Sequence, residues 1–328
     1  MKKILIIGGA GYIGRVLINK LSKSNLKVYS FDNYIYNQEK TQSSKNIHFI
    51  KGDMTNTRDI EKLKKLEFDC IVLLAGLVGD PITKKYSHLS KKINIKGVKN
   101  IINFYYRSEA KKLVFVSTCS NYGIVNKKIL ANEKYKLNPQ SFYAKQKVEI
   151  EKFLIKRKNF KKPYVILRFA TAFGFSPRMR YDLTINEFFR DMIKDKQLTI
   201  YDSETFRPYC DIEDFAKVID LIIKNKDKRS LNQIYNVGSN KNNFSKKKIV
   251  KQLLNFFKKE SIHIEYLNKS VDPRNYKVDF KKINKNFKIN FTPFNVSLKK
   301  TYNSILKHTK KNNEKNRFGN YKIKNQSK

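Results

Sequence analysis

The feature that most constrains this 328-residue chain is a regular alternation of short apolar segments and longer helical patterns that starts at its first residues. The apolar segments, rich in Ile and Val, are residues 3–7, 27–31, 47–51, 70–74, 113–117 and 164–168. The helical patterns cover residues 12–23, 57–66, 85–107 and 141–158. Strand, helix, strand at this spacing indicates a parallel sheet with right-handed crossovers and helices on both faces. We therefore predict an α/β fold built on a doubly wound parallel sheet.

The alternation breaks after residue 170. A loop rich in Pro and Arg (175–180) precedes patterns for helices over 183–194, 212–225 and 244–258 and for short strands near 198–201 and 234–237. We assign residues 1–170 and about 208–240 to the sheet domain. Residues 171–207 and 241–309 then form a smaller C-terminal substrate-binding domain, and residues 310–328 a disordered basic tail, because the tail begins with almost no apolar side chain.

The formal net charge of +42 has two interpretations: a surface that binds nucleic acid, or a compositional bias towards lysine. The hydrophobic content of 40% is sufficient for a core, which excludes a disordered polycation. Lysines are spread over nearly every predicted helix, as on solvated faces, so we favour the bias and disfavour nucleic acid as a partner. Five of the twelve arginines instead fall within motif-like strings: Arg168, Arg178, Arg180, Arg207 and Arg274.

Several other classes of protein are excluded by the pattern. The longest apolar runs are four or five residues, too short to span a membrane. The N-terminal run meets Gly8 at once and lacks the features of a signal peptide, so we expect a cytoplasmic protein. The three cysteines and four histidines are scattered, and we expect neither a disulfide framework nor a metal site.

A glycine-rich turn, Gly8-Gly9-Ala10-Gly11-Tyr12-Ile13-Gly14, joins the first strand to the first helix. Glycines at this spacing allow a tight turn and a close approach of the backbone to a pyrophosphate, as in a Rossmann dinucleotide site. Asp32 ends the second strand, where a carboxylate accepts from ribose hydroxyls and repels a 2′-phosphate, so we predict NAD rather than NADP. Asp53 ends the third strand and either reaches the adenine edge or serves as a turn residue.

Tyr143 and Lys147 stand four residues apart, so the phenol and the ammonium share one helix face. A tyrosine acts as a base near pH 7 only if its pKa falls from about 10, and a neighbouring ammonium and a positively charged nicotinamide ring both lower it. The pair opens the helix that follows Ser117-Thr118-Cys119-Ser120-Asn121-Tyr122-Gly123. This hydroxyl-rich string lies at the carboxyl end of the fifth strand, where such sheets bind ligands.

Together with Leu74-Ala75-Gly76 and Asn94, these features resemble the extended short-chain dehydrogenase/reductase family, specifically its NAD-dependent nucleotide-sugar epimerases and dehydratases, over residues 2–306. The resemblance implies that Tyr143 deprotonates a sugar hydroxyl, Thr118 hydrogen-bonds that oxygen, and Lys147 holds the nicotinamide ribose while a hydride passes from sugar C4 to NAD. The cofactor contacts implied are Gly8, Gly11, Tyr12, Ile13, Gly14, Asp32, Asn33, Asp53, Met54, Leu74, Ala75, Gly76, Asn94, Tyr143 and Lys147.

The resemblance also implies a nucleotide-diphosphate sugar as substrate. Arg207 and Arg274 match positions that contact the diphosphate, a role suited to the guanidinium fork. The further candidates are Asn186 for the diphosphate, Ser120 as a second hydroxyl contact, and Arg178 and Arg180 for the sugar or phosphate. A surface salt bridge is the alternative role for the last two arginines. A homodimer through the helices near 85–107 and 141–158 is implied as well.

The sequence departs from the dehydratase pattern directly after Thr118. The 4,6-dehydratases carry an Asp-Glu acid–base pair there, whereas this chain has Cys119 and Ser120, so we disfavour dehydration. Asp211 stands where relatives usually have His, which leaves the local substrate contacts open. We predict a 4-epimerase that acts through a 4-keto intermediate. The alternatives are a nucleotide-sugar 4-dehydrogenase or reductase in surface-polysaccharide sugar synthesis, and a catalytically silent nucleic-acid-binding relative; the sugar, the base and the inverted carbon stay open.

Overall fold

The computed structural model describes residues 1–36, 43–157, 162–258, 261–268, 272–311, 319–320 and 323. The strands are β1 (Lys3–Ile7), β2 (Lys27–Asp32), β3 (Ile47–Lys51), β4 (Cys70–Leu73), β5 (Lys112–Thr118), β6 (Leu130–Ala131), β7 (Tyr164–Phe169), β8 (Thr171–Phe173), β9 (Gln197–Tyr201), β10 (Phe206–Asp211), β11 (Gln233–Val237), β12 (Asn243–Ser245), β13 (His263–Leu267) and β14 (Lys277–Val278). The helices are α1 (Tyr12–Leu21), α2 (Thr57–Glu61), α3 (Asp80–Lys85), α4 (Ser87–Lys91), α5 (Val98–Arg107), α6 (Phe142–Lys156), α7 (Thr184–Lys194), α8 (Ile212–Lys224), α9 (Lys246–Leu254), α10 (Lys281–Phe287) and α11 (Phe294–Lys311).

The central sheet has the strand order β11-β7-β5-β4-β1-β2-β3, and each neighbouring pair runs parallel. Its inner strands are apolar on both faces because helices cover both; Ile4, Leu5 and Ile6 of β1 are all fully buried. The predicted doubly wound α/β fold is confirmed, and the predicted strands 3–7 and 47–51 coincide with β1 and β3. The chain order reverses between β1 and β4, the switch point at which such sheets bind ligands.

The predicted helix over 85–107 is wrong in detail, because the chain there forms several shorter helices. Tyr86, with φ −113° and ψ 54°, separates α3 from α4. The following turns, Lys92–Gly97, are π-helical and continue into α5. Bulges of this kind inside helices are frequent at functional sites.

A second apolar cluster lies beyond the sheet, between α7, α9 and α11 and the strands β9 and β10. Aromatic rings fill it, with Phe189 contacting both Phe256 and Tyr302 at centroid distances of 5.6 Å. The first half of β10, which carries Arg207, pairs with β12, and its second half pairs with β8.

The predicted disordered tail, residues 310–328, is wrong for the five of its residues that the structure describes: residues 310 and 311 end α11, and residues 319, 320 and 323 pack against the rest of the protein. Residues 312–318, 321–322 and 324–328 lie outside the described residues. Gly319 and Asn320 are buried. Asn320 N–H donates to Asp182 Oδ1 at 3.2 Å, and its Nδ2 donates to the carbonyl of Val78 at 2.7 Å. These partners are distant in sequence, so local composition gave no sign of them.

Over the described ranges, no helix is both long enough and apolar enough to cross a membrane. The same part of the chain contains no group of three or more His, Cys, Asp or Glu side chains placed to hold a metal ion.

Candidate active site

The turn between β1 and α1 forms one wall of a cavity at the carboxyl edge of the sheet. Gly8 has φ +90°, and a Cβ there would lie 2.7 Å from the backbone of Ala75, so this position excludes any side chain. A Cβ on Gly14 would lie 2.4 Å from the Gly8 oxygen, which explains how α1 approaches β1 so closely. The N-cap residue of α1 is Gly11, which leaves the first-turn N–H groups without a side-chain cap and available to an anion.

Asp32 is held rigidly at the end of β2. Its Oδ2 accepts from the Ala10 N–H at 3.0 Å, and its Oδ1 accepts from the Tyr34 N–H at 2.8 Å. Burial raises the pKa of the Asp32 carboxyl, whereas these two N–H groups act in the opposite direction. A carboxylate fixed in this way at the cavity wall fits the ribose hydroxyls of NAD.

The cavity is partly open to solvent, and the empty space within it and at its mouth amounts to about 950 Å³. Its lining contains the predicted cofactor residues Gly8, Gly11, Tyr12, Ile13, Gly14, Asp32, Asn33, Asp53, Met54, Leu74, Ala75 and Gly76. Sequence reasoning missed ten further lining residues: Ile7, Phe31, Ile35, Tyr36, Gly52, Leu77, Val78, Ile93, Ala172 and Asn320. All except Ala172 and Asn320 lie within three residues of a predicted position along the chain, which is the one signal that could have revealed them.

Asn94, predicted as a cofactor contact, lies behind the cavity wall. Its Oδ1 accepts from the Leu77 N–H at 2.8 Å, and its Nδ2 donates to the Leu77 carbonyl at 2.9 Å. The Nδ2 also donates to Gln146 Oε1 of α6 at 2.7 Å. Asn94, which belongs to the π-helical segment, thereby fixes the main chain after Gly76 and determines the shape of the cavity wall there.

Arg178 and Arg180 line the same cavity, opposite the glycine turn. The Arg178 guanidinium lies over the Tyr36 ring at 4.7 Å. Arg180 pairs with Asp182 at 2.5 Å and donates to the Val78 carbonyl at 3.3 Å. The alternative role of Arg180, a salt bridge on the surface, is wrong. Its ion pair with Asp182 is buried, and only 7% of Arg180 is exposed.

Tyr143 and Lys147 lie one turn apart near the start of α6, where the Ser141 hydroxyl caps the helix by accepting from the Ala144 N–H. The Lys147 Nζ is 5.8 Å from the centre of the Tyr143 ring and donates to the Val116 carbonyl at 2.7 Å. Burial lowers the pKa of Lys147 to about 8, opposed by the nearby Glu151 carboxylate. The structure thus brings the predicted catalytic pair together beneath the carboxyl end of β5.

Burial raises the pKa of the Tyr143 phenol well above its usual value. The Arg180 cation acts against this shift, and the Asp80 carboxylate adds to it. In the protein alone the phenol is therefore protonated at neutral pH. A further positive charge beside the ring is required before Tyr143 can serve as a base.

A buried polar network that sequence reasoning missed supports the catalytic helix from below. Glu151, one turn beyond Lys147, pairs with Arg168 of β7 at 2.7 Å, and neither side chain is more than 3% exposed. The same carboxylate accepts from Ser117 Oγ at 2.5 Å and from Asn121 Nδ2 at 2.8 Å. An arginine inside the otherwise apolar strand Tyr164–Phe169 was the available signal, because such a charge requires a buried partner.

Thr118 and Ser120 lie at the end of β5. Thr118 Oγ1 accepts from the Ser120 N–H at 3.1 Å, which caps the turn that follows the strand. The Ser120 hydroxyl is 3.2 Å from the Tyr276 hydroxyl. Cys119 between them is buried, its thiol donates to the Arg168 carbonyl at 3.2 Å, and burial raises its pKa, so it is an unreactive packing residue.

Arg207 and Arg274 come together as predicted, but acidic residues hold them. Asp272 accepts from Arg207 Nη2 at 3.0 Å and from Arg274 Nη2 at 2.7 Å. Arg274 Nη1 pairs in addition with Asp80, at 2.7 Å, which links this cluster to the start of α3 in the sheet domain. The two arginines lower the pKa of Asp272, so the bridging carboxylate is ionised. We call Asp80, Arg207, Asp272 and Arg274 the arginine cluster.

Asn186, predicted to touch the diphosphate, is fully buried elsewhere. Its Oδ1 accepts from the Gly174 N–H at 3.0 Å, and its Nδ2 donates to the Tyr12 hydroxyl and to the Arg180 carbonyl, each at 3.0 Å. Both N–H groups of the amide are engaged within the protein, so a contact with a phosphate oxygen would require one of them to change partner, and the diphosphate contact stays a prediction. Asn186 instead ties the loop before α7 to α1.

The site therefore combines a dinucleotide cavity, a Tyr–Lys pair whose lysine is buried, and an adjacent arginine cluster. This combination defines a dinucleotide-dependent enzyme of the short-chain dehydrogenase/reductase type. The chain belongs to the NAD dependent epimerase/dehydratase family, whose profile matches residues 4–238. NAD is the cofactor of this family, and the glycine turn with Asp32 fits it.

Similarity to individual proteins agrees with this membership. The chain is 28% identical over 261 residues to a dTDP-D-glucose 4,6-dehydratase of Dictyostelium discoideum, covering 73% of this chain and 58% of that protein. It is 30% identical over 234 residues to an uncharacterized UDP-glucose epimerase of Bacillus subtilis, covering 67% of this chain and 72% of that one. The chain thus spans less than two thirds of the dehydratase.

Among solved structures, a UDP-glucose 4-epimerase of Thermotoga maritima with UDP-glucose superposes with a TM-score of 0.84. The match covers 93% of this chain and 99% of that one at 22% identity. At this level of identity the superposition establishes the shared fold.

Proposed function

We propose that the protein is an NAD-dependent nucleotide-sugar 4-epimerase that works through a 4-keto sugar. The observation that carries the proposal is the pair of a half-buried Tyr143 and a buried Lys147, which is present without an acid–base pair after Thr118. The curated relatives include both an epimerase and a dehydratase, so the choice between these reactions depends on the residues of this chain.

In the proposed reaction the glycine turn and Asp32 hold NAD, which when bound accepts the hydride from sugar C4 and later returns it. The Tyr143 phenolate takes the proton of the C4 hydroxyl as the C4–H bond breaks. The same phenol returns the proton to the C4 oxygen when the opposite face of the ketone is reduced. Thr118 hydrogen-bonds that oxygen, and the Lys147 ammonium favours the phenolate form of Tyr143.

Reduction on the opposite face requires the keto sugar to turn over while its nucleotide stays bound. We propose that Arg207 and Arg274 hold the diphosphate during this turn. In exchange, the phosphates take over interactions that Asp272 and Asp80 make with the arginines. The bidentate geometry of guanidinium groups suits two bridged phosphates.

Elimination of water from the sugar would require an acid and a base at C6 and C5. The two residues after Thr118 cannot supply them, since Cys119 is a buried thiol of raised pKa and Ser120 carries a hydroxyl that does not titrate near neutral pH. A net 4-dehydrogenase is the second candidate for the same machinery. A nucleic-acid binder that has lost catalysis has no need of the Tyr143–Lys147 pair or of the Glu151–Arg168 network that supports it.

Incubation with a panel of UDP-, dTDP- and GDP-sugars in deuterated water tests the proposal. A 4-epimerase gives a sugar inverted at C4, without solvent deuterium on carbon and without net NADH. Accumulating NADH identifies the dehydrogenase, and deuterium at C5 in a 4-keto-6-deoxy product identifies a dehydratase. Turnover of no sugar by the wild type, together with salt-sensitive RNA binding that Tyr143→Phe leaves intact, supports the nucleic-acid alternative.

A further inference from the structure

Gly319 and Asn320 approach the cofactor cavity at a point that sequence motifs do not mark. Asn320 lies in the cavity lining together with the glycine turn and Asp32, although hundreds of residues separate them in sequence. We propose that Asn320 is a cofactor-binding residue, whose side-chain oxygen accepts a hydrogen bond from an N–H or O–H group of bound NAD. The proposal rests on NAD as the cofactor and is independent of the sugar reaction.

The orientation of the Asn320 amide is fixed by its neighbours. Its Nδ2 donates to the Val78 carbonyl at 2.7 Å, an acceptor that could not pair with the amide oxygen, and its backbone N–H donates to Asp182 Oδ1 at 3.2 Å. The Oδ1 atom therefore occupies the other side of the amide. Only 8% of the residue is exposed, so water has little access to it.

The Oδ1 atom of Asn320 is buried and has no hydrogen-bond partner among the described residues. A buried acceptor without a partner is costly, and such atoms in native proteins usually find a ligand or an ordered water. NAD offers donors of the required kind: the adenine amino group, the nicotinamide amide and the ribose hydroxyls. Its phosphates are acceptors at neutral pH and do not fit this atom.

Two described neighbours of Asn320, Gly319 and Ile323, make further contacts with the rest of the protein. The Gly319 carbonyl accepts from Arg178 Nη2 at 3.3 Å, and the same guanidinium lies over the Tyr36 ring. Ile323 packs against the apolar cluster on that side of the sheet. Gly319 and Asn320 are thus held against the cavity wall by residues that themselves line the cavity.

The rate of exchange of bound, labelled NAD and its dissociation constant, both measured on the full-length protein, test the proposal. Asn320→Ala should raise the dissociation constant roughly tenfold, mostly through faster release, because a bound donor then loses its acceptor. Asn320→Leu, which keeps the side-chain volume but has no hydrogen-bond acceptor, should raise the dissociation constant to the same extent as Asn320→Ala. Asn303→Ala, at an exposed asparagine of α11, should bind as the wild type does. Melting temperatures without added NAD show whether each variant is folded.

Two analogues identify the donor. In nicotinamide hypoxanthine dinucleotide a carbonyl replaces the adenine amino group, and in 3-acetylpyridine adenine dinucleotide an acetyl group replaces the amide. The analogue that lacks the bonded donor should bind Asn320→Ala and wild type about equally. If the tenfold ratio persists with both, the donor is a ribose hydroxyl. Folded Asn320→Ala and Asn320→Leu proteins that bind and release NAD like the wild type would overturn the proposal, whatever the outcome of the sugar assays.

Discussion

The cofactor cavity and the arginine cluster are built in different ways. The cavity is shaped by main chain, since Gly8 and Gly14 exclude side chains and backbone N–H groups fix Asp32. The arginine cluster consists of flexible side chains held by one another's charges, with Asp272 shared between two guanidinium groups. The first region is preorganised for its ligand, whereas the second must exchange partners when an anion arrives. We therefore expect separable effects of substitution in the two regions.

The largest effect should come from Tyr143, which lies between the two regions. Tyr143→Phe removes the only proposed base and should lower kcat on the order of a thousandfold, within the range for general-base catalysis. Both ligands should still bind. The matched control is Tyr266→Phe, at an exposed tyrosine of β13. Retention of full activity in Tyr143→Phe would contradict the assignment of the base.

Loss of Glu151 should be the next largest effect, because it leaves Arg168 buried without its counter-charge. Glu151→Leu should lower the free energy of unfolding by about 3–5 kcal/mol. Urea unfolding gives this number. The double variant Glu151→Leu/Arg168→Met should recover much of it, since removal of both charges eliminates the uncompensated one; a double variant no better than the single one would show that packing, not charge, is responsible.

If the two regions are independent, a substitution in one of them should weaken the binding of either the nucleotide sugar or NAD, but not of both. Arg274→Ala should raise the dissociation constant for the nucleotide sugar by about 10- to 100-fold, a typical loss for a charge-assisted contact, with little change in NAD affinity. Asp32→Ala should do the reverse. Calorimetric titration with each ligand measures both. Equal losses of both ligands in both variants would mean that the two regions are not independent.

Asp80 should influence the pH profile. Its carboxylate raises the pKa of Tyr143, so Asp80→Asn should lower that pKa and move the rise of kcat to lower pH. A shift below one pH unit is expected, since Asp80 is a secondary influence. Asp272→Asn removes another partner of Arg274 without acting on Tyr143 directly. An identical shift in both variants would show that the effect passes through Arg274.

The smallest effect concerns the predicted homodimer. The face formed by α4, the π-helical segment and α6 carries His88, Lys91, Lys92, Lys96 and Lys145 beside Ile95 and Phe142. Two copies meeting through this face would bring like charges together, so any dimer should strengthen modestly as salt screens the repulsion. Sedimentation at low and high ionic strength measures this. A dimer that weakens with salt would place the contact on another face.

The sequence was most informative where local chemistry determines the structure. β1 and the glycine turn follow from an apolar run and from positions that only glycine can occupy. β10 was not predicted, because Arg207, Pro208 and Asp211 interrupt the pattern of a strand. The helix α11 was missed because lysines obscure its apolar face. Arg168 inside an apolar strand signalled a buried partner but did not identify it as Glu151, and Asn320 in the cavity had no signal at all, since both depend on tertiary contacts.

The most direct test of the proposed 4-epimerase reaction follows the hydrogen atom on sugar C4. A nucleotide sugar that the enzyme accepts is labelled with deuterium at C4 and converted in ordinary water. The account predicts that the label remains on C4 of the inverted product, because the hydride leaves and returns within one active site. Label found in released NADH, or a product inverted at C3 or C5 with exchange of the carbon-bound hydrogen at the inverted carbon, would contradict it.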